Sequence, residues 1–119
     1  MTLVDTSVWI DHLRSGENEL TKLLQNAQVL IHPFIIGELA CGNLRNRTEI
    51  MGLLADLPSI TVATDSEVLF FIERQALAGQ GIGYIDAHLL AAAALENQAR
   101  VWSRDKRLVA AATKLGLDY

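Results

Sequence analysis

The sequence predicts an α/β domain in which a parallel central sheet of four to five strands is flanked by helices on both faces. Short runs of β-branched and other apolar residues alternate along the chain with longer segments whose apolar residues recur at helical spacing. This alternation is typical of parallel sheets, because each parallel pair of strands needs a crossover connection. A chain of 119 residues, half of them hydrophobic, suits one domain spanning residues 1–119.

The first half of the chain contains two predicted strands and four predicted helices. Thr6 or Ser7 is expected to cap the first helix, because a hydroxyl there accepts a hydrogen bond from a free backbone N–H. Pro33 closes the second strand and suits the first turn of a helix, and Pro58 stops the fourth helix. The predicted elements are a strand at 2–4, a helix at 6–15, a helix around 20–24, a strand at 28–32, and helices at 34–44 and 46–57.

The second half continues the same alternation. Asp65 or Ser66 is expected to cap a helix, and Asp105 is expected to open the last one. Three glycines between residues 79 and 83 predict a loop. The predicted elements are a strand at 60–62, a helix at 65–76, an alanine-rich helix at 84–97, a strand at 100–103, a helix at 105–115 and a terminal edge strand at 117–119.

Composition excludes several classes of protein. Ten basic and fourteen acidic residues give a net charge of −4, which excludes histone-like binding of nucleic acid through an excess of positive charge. It does not exclude a nuclease that binds the phosphate through a metal ion. The single cysteine, Cys41, excludes an internal disulfide and indicates a reducing cytoplasm. Residues 1–13 lack the basic start of a signal peptide, and no apolar run approaches the ~20 residues of a membrane span.

Four acidic residues stand where a parallel sheet would bring them together. Asp5 directly follows the first strand, and Asp105 follows the strand at 100–103. The carboxyl ends of parallel strands meet at one edge of the sheet, so these two acids are expected to lie close together. Asp86 lies at the start of the alanine-rich helix. Glu38 lies within an apolar helical segment, where a buried charge would need a partner.

Such a group of acids predicts a cation. Carboxylates repel one another, so a protein keeps them together where a positive charge lies between them, and the repulsion is expected to raise the pKa of at least one of them. A hard ion such as Mg²⁺ or Mn²⁺ suits carboxylate and water ligands, and it activates water and neutralises phosphate charge. Without these four acids, ten acidic residues balance ten basic ones, so the net negative charge belongs largely to this one site.

The same four acids lie in motifs that resemble those of PIN-domain ribonucleases. The order and spacing of the motifs fit that family, the resemblance runs through the whole chain, and the length is similar to that of VapC-type toxins of bacterial toxin–antitoxin pairs. Ser103 and Leu108 stand where Thr and Phe are commoner, and both keep the chemical type. The motifs are LVDTSVWID with Asp5, IGEL with Glu38, YIDAHLLAAA with Asp86 and WSRDKRL with Asp105.

The resemblance implies a Mg²⁺- or Mn²⁺-dependent endoribonuclease that cleaves RNA phosphodiester bonds with metal-activated water and acts as a toxin. It implies that Asp5, Asp86 and Asp105 bind the metal, and that Glu38 binds it through water or serves as a general base. Ser7, with Thr6 and Ser103, would support the carboxylates or a bound water. It also implies a cognate antitoxin protein as partner and a homodimer.

Two surfaces are candidates for binding RNA or a partner protein. Three basic residues flank Asp105 and are placed to hold the RNA backbone beside the metal, although a solvated helical turn explains them equally well. Large apolar residues between Trp9 and Leu24 predict part of the core and a groove for a helix of the antitoxin. The three basic residues are Arg104, Lys106 and Arg107.

Two other functions remain open from the sequence. A non-catalytic PIN-like scaffold that binds RNA or protein would not need all four acids. A receiver-type signalling domain would need paired acids after the first strand and an acceptor aspartate after the third. In this chain Asp5 stands alone, and the strand at 60–62 is followed by Ala63 and Thr64.

Overall fold

The computed structural model describes residues 1–97 and 99–119, and it places three strands and seven helices there. Strand and helix alternate much as the sequence predicts. The elements are β1 (Thr2–Val4), α1 (Thr6–Ser15), α2 (Asn18–Gln25), β2 (Val29–Leu30), α3 (Pro33–Ala40), α4 (Arg47–Ala55), α5 (Asp65–Arg74), α6 (Tyr84–Leu95), β3 (Arg100–Trp102) and α7 (Lys106–Lys114).

The sheet is parallel, with β1 between β2 and β3. Leu3 is the central residue of β1, and it lies opposite Leu30 of β2 and Val101 of β3. All three residues of β1 are buried. Because successive side chains of a strand point to opposite faces, both faces of the sheet are covered. The predicted α/β fold with a parallel sheet flanked by helices is therefore confirmed.

The predicted number of strands, four to five, is wrong, since the described residues form a sheet of three. The segment at 60–62 is not a strand: its neighbour Ser59 makes one isolated parallel bridge with Ile31. The edge ends after Ile31, because His32 caps α3 and Pro33, the first residue of that helix, has no N–H to donate. The terminal edge strand is likewise reduced to one bridge between Asp118 and Val101.

Helix caps differ from the predicted ones at two places. Thr64, not Asp65 or Ser66, caps α5, and it exchanges hydrogen bonds with Glu67 in a capping box. Asp5, not Thr6 or Ser7, occupies the cap position of α1, and its side chain makes no capping hydrogen bond. The carboxylate of Asp5 is therefore free for other contacts.

The core anchors the elements that carry the acidic residues. Leu3, Leu89 and Leu90 are fully buried, so β1 and the middle of α6 are fixed in the centre of the molecule. The acids lie just outside this core, at the ends of β1 and β3 and in the first turn of α6. None of the helices in the described part of the chain combines the length and apolar character that a membrane span requires.

Candidate active site

Asp5 is the buried centre of the acidic site. It directly follows β1 and keeps only 7% of its surface exposed. Its Oδ2 atom accepts hydrogen bonds from the hydroxyls of Ser7 and Ser103, each at 2.8 Å. Two donors on one oxygen hold the carboxylate in a single orientation. This arrangement supports the predicted role of both serines as polar support.

Ser103 connects the ends of the two neighbouring strands. Its hydroxyl donates to Asp5 and accepts a hydrogen bond from the backbone N–H of Asp105 at 3.0 Å. The next backbone N–H, that of Arg104, donates to the Ser7 hydroxyl at 3.0 Å. The segment after β3 is thus tied to the segment after β1. This is the convergence of Asp5 and Asp105 that the sequence predicts.

Asp86 and Asp105 lie at the amino ends of two helices. Asp105 caps α7, and its Oδ1 atom accepts from the backbone N–H groups of Arg107 at 2.9 Å and Leu108 at 3.3 Å. Asp86 lies in the first turn of α6, and its Oδ2 atom accepts from the N–H of Gly83 at 3.4 Å. These hydrogen bonds at the helix ends use only one oxygen of each carboxylate.

Glu38 is exposed, so the expectation of a buried charge on this helix is wrong. Its Oε1 atom accepts a hydrogen bond from the hydroxyl of Thr6 at 3.0 Å. Because Thr6 directly follows Asp5, this bond ties α3 to the end of β1. Glu38 thus joins the site from its solvent-facing side.

The four carboxylates share one pattern. Within the described residues, each has one oxygen fixed by a hydrogen bond and one oxygen without such a partner. In the same part of the chain, no three His, Cys, Asp or Glu side chains lie close enough to hold a metal ion by themselves. The four carboxylates offer only oxygen atoms as ligands, and they do not surround an ion on their own. Such a site suits Mg²⁺ or Mn²⁺, which keeps several of its waters when bound. The residues present therefore fit such an ion.

The pKa of Asp86 reflects its burial and the charges of the other three acids. Partial burial raises the pKa of this carboxyl above its usual value, and the negative charges of Asp5, Asp105 and Glu38 raise it further. The hydrogen bond from Gly83 opposes this shift. The sequence predicts a raised pKa for at least one of the four acids, and the structure assigns that rise to Asp86.

The three basic residues beside Asp105 have different surroundings. The guanidinium of Arg104 is paired with Asp11 at 3.2 Å and also with Glu17. The side chain of Arg107 crosses the glycine loop, where a Cβ at residue 81 would lie 2.7 Å from its Cδ atom. Gly81 also has a φ of +80°, a conformation that favours glycine. The predicted RNA-binding set comprises Arg104, Lys106 and Arg107.

The histidines lie outside the acidic site. His32 is fully buried, and its Nδ1 atom accepts from the backbone N–H of Phe34 at the start of α3. Burial, together with the smaller effect of the nearby His88, lowers the pKa of His32 to about 4, so His32 is neutral at pH 7. His88 is also buried, with its Nε2 atom 3.3 Å from the carboxylate of Asp65. Both residues support the fold.

Comparison with known proteins identifies the family. The PIN domain family model matches residues 2–114, so the chain belongs to the PIN-domain family. It is 46% identical over 117 residues to "Ribonuclease VapC32" of Mycobacterium tuberculosis, in strains CDC 1551 / Oshkosh and ATCC 25618 / H37Rv. The alignment covers 98% of this chain and 94% of each relative. The resemblance to VapC-type PIN ribonucleases is thereby confirmed, and the receiver-type alternative is wrong.

Burial of Asp86 and repulsion by its three acidic neighbours predict a pH-dependent gain in stability when its charge is removed. A raised carboxyl pKa destabilises the folded state at pH values above that pKa, and this penalty disappears below the unfolded value. Without metal at pH 7, the variant Asp86→Asn should therefore melt at a higher temperature than the wild type. The difference should shrink as the pH falls through the folded pKa of Asp86.

Thermal melts in EDTA between pH 3 and pH 7 measure this difference. Asp56→Asn is the matched control, because Asp56 is exposed at the end of α4. A lower melting temperature for Asp86→Asn at pH 7 would contradict the mutual repulsion of the four acids.

Proposed function

We propose that this protein is a single-domain, Mg²⁺- or Mn²⁺-dependent endoribonuclease that acts in the cytoplasm as the toxin of a toxin–antitoxin pair. The observation that carries the proposal is the tethering of Asp5, Glu38, Asp86 and Asp105 by one oxygen each, with the other oxygen free. Membership of the PIN-domain family and the ribonuclease name of the curated relative support the same activity.

Asp5, Asp86 and Asp105 are the residues that would hold the ion, directly or through waters that complete its coordination. When bound, a divalent ion supplies an activated water and offsets negative charge on the scissile phosphate. The two serine hydroxyls on Oδ2 of Asp5 keep its Oδ1 atom directed away from them. The backbone N–H groups on Asp105 and Asp86 fix those carboxylates in the same manner. The fixed orientations reduce the rearrangement that binding would require.

Glu38 is suited to handle a proton or a water molecule. It is exposed, and the Thr6 hydroxyl occupies only its Oε1 atom. Its free Oε2 atom is therefore available to accept a proton from water or to hold a water beside the other acids. Lys106 and Arg107 are exposed and form no salt bridge among the described residues, so they are available to contact RNA phosphates.

A non-catalytic scaffold explains the acidic site poorly. Burial and the charges of the three other acids raise the pKa of Asp86, and this lowers the stability of the metal-free fold at neutral pH. A scaffold that binds RNA or protein would gain stability at neutral pH by losing the charge of Asp86. Retaining all four is instead typical of a functional site, where stability is exchanged for activity.

Substitution of single acids tests the nuclease activity. Asp5→Asn and Asp86→Asn should each slow Mn²⁺-dependent cleavage of a single-stranded or looped RNA by roughly 100-fold or more, because each removes a ligand charge worth several kcal/mol. EDTA should abolish cleavage. The exposed Asp56→Asn serves as the control and should retain wild-type rates. Full activity in Asp5→Asn, or equal loss in Asp56→Asn, would overturn the assignment.

A groove beside Glu38 is suited to bind the antitoxin. Its volume is about 550 Å³, and it is formed by α1, α3, the loop at 42–46 and α4. Ile10, Leu13 and Ile50 line it together with Arg14 and Arg45. The sequence predicts a groove at the first two helices, but Leu20 of α2 is fully buried in the core. We therefore place the apolar helix of the antitoxin along α1 and α3, where a basic side chain from it reaches Glu38.

Growth of an expressing strain tests the toxin role. Expression of the wild type alone should slow growth, and co-expression of its cognate antitoxin should restore normal growth. Ile10→Glu places a charge in the apolar groove, since Ile10 is 44% exposed there, and should keep the toxicity but lose the rescue. Normal growth with an active, metal-binding wild type would contradict a toxin role. Full rescue of Ile10→Glu would contradict the position of the antitoxin.

A second apolar surface suits a second copy of this chain. Phe70 of α5 is 69% exposed and borders a groove of about 400 Å³ between α5 and α6. Glu67 and Arg74 line the same groove on either side of Phe70 and Phe71. A two-fold axis near these aromatic residues would place α5 antiparallel to its copy and Glu67 opposite the Arg74 of the other protomer. Apolar contact and opposite charges thus both favour a homodimer at this face.

Sedimentation or light scattering of the purified protein tests the homodimer. The wild type should be a dimer, and Phe70→Glu should be a folded monomer, because it puts like charges together at the two-fold axis. Leu53→Glu is the control, since Leu53 is a comparably exposed apolar residue on α4 and lies outside the groove. A monomeric wild type, or a dimer that tolerates Phe70→Glu, would contradict this interface.

A further inference from the structure

We infer that Arg104 is a positioning residue that clamps the segment carrying Ser103 and Asp105 against α1 and α2, and that it does not contact RNA. The inference rests on the proposed function, because the segment it clamps carries the proposed metal ligand Asp105. It gives a structural role to one of the three basic residues that the sequence analysis predicts to contact the RNA backbone.

The side chain of Arg104 is fully engaged by two carboxylates. Its Nε atom lies 3.2 Å from Oδ2 of Asp11, on α1, and its terminal nitrogen donates to Oε2 of Glu17, at the start of α2. The side chains of Arg104, Asp11 and Glu17 are 39%, 44% and 26% exposed, respectively. A planar guanidinium is suited to hold two acids at once, because its donors have a fixed geometry.

Both partners are themselves held in place. Glu17 caps α2, and its backbone N–H donates to Nδ1 of His12 at 3.1 Å. Asp11 lies one turn before the end of α1, whose residues Val8 and Trp9 are buried. The side chain of Arg104 is therefore attached to parts of the chain that the core fixes.

The backbone of Arg104 points to the acidic site. Its N–H donates to the Ser7 hydroxyl, which in turn donates to Asp5. The residue before it, Ser103, donates to Asp5, and the residue after it, Asp105, donates its N–H to Ser103. Anchoring the Arg104 side chain therefore fixes the position of Asp105 relative to Asp5.

An RNA phosphate would have to compete with both acids for this guanidinium. Lys106 and Arg107, in contrast, have no carboxylate partner among the described residues. The two roles also predict opposite effects when the acids are neutralised. Freed from Asp11 and Glu17, an RNA-binding arginine would hold RNA more tightly, whereas a clamping arginine would lose its anchor.

The test is Mn²⁺ binding, measured by titration of the purified full-length protein, together with kcat and KM for a model RNA. In Arg104→Gln the Mn²⁺ dissociation constant should rise on the order of tenfold, as for the loss of a residue that orients a ligand. Its kcat should fall while KM and the salt dependence of RNA binding stay close to wild type. Arg104→Lys should have a Mn²⁺ affinity and a kcat between those of the wild type and Arg104→Gln, because lysine keeps the charge but lacks the planar guanidinium that binds two acids.

The direction in which Arg104→Gln changes the Mn²⁺ dissociation constant separates the clamping role from a simple effect of the arginine's charge. Removal of a positive charge near four acids would by itself tighten cation binding. Unchanged or tighter Mn²⁺ binding by folded Arg104→Gln would therefore overturn the clamp. The clamp would also be overturned if Arg104→Gln raised KM and reduced the salt dependence of RNA binding by the amount expected for about one phosphate contact.

Two further variants keep the test decisive. The double variant Asp11→Asn/Glu17→Gln leaves Arg104 in place and should also lower kcat without lowering KM, whereas a lowered KM would assign Arg104 to RNA. Lys22→Gln, an exposed charge on α2, is the control and should match the wild type. If the wild type binds no Mn²⁺, or if Asp5→Asn binds it equally well, the proposed metal site itself fails and the inference fails with it.

Discussion

The hydroxyl of Ser103 is the contact on which the site depends. It donates to Asp5 and accepts from the backbone of Asp105, so one small side chain joins the ends of two adjacent parallel strands. The parallel register of β1 and β3 makes this contact possible, because Val4, which directly precedes Asp5, lies opposite Trp102, which directly precedes Ser103. A three-stranded sheet is therefore sufficient to build the site, and the expected additional strands are not needed for it.

Bringing the acids together creates a conflict between stability and function. The carboxylates repel one another, and partial burial together with the charges of its three neighbours raises the pKa of Asp86. Hydrogen bonds from hydroxyls and backbone N–H groups hold each acid in place against this repulsion. Because these bonds use one oxygen of each acid, the other oxygens remain available for a cation and its waters.

Local sequence patterns predicted the parts of the structure that depend on neighbouring residues. The alternation of strands and helices, the acids after β1 and β3, and the cap at Asp105 all follow from short-range signals. The exposure of Glu38 did not, since it depends on how α3 packs on the rest of the molecule. The pair of Arg104 and Glu17 joins residues 87 positions apart, and no local pattern marks it. The predicted strand at 60–62 is reduced to a bridge at Ser59, because the edge that it would pair with ends where α3 begins.

A titration of the carboxyl groups followed by ¹³C NMR tests most directly whether the four acids form one cation site. Without metal, Asp86 should titrate above the usual range for an aspartate. Saturating Mg²⁺ should lower its pKa and shift the signals of Asp5 and Asp105, while Asp56 stays unchanged. A normal pKa for Asp86 that Mg²⁺ does not alter would contradict the account, because the acids would then neither repel one another nor share an ion.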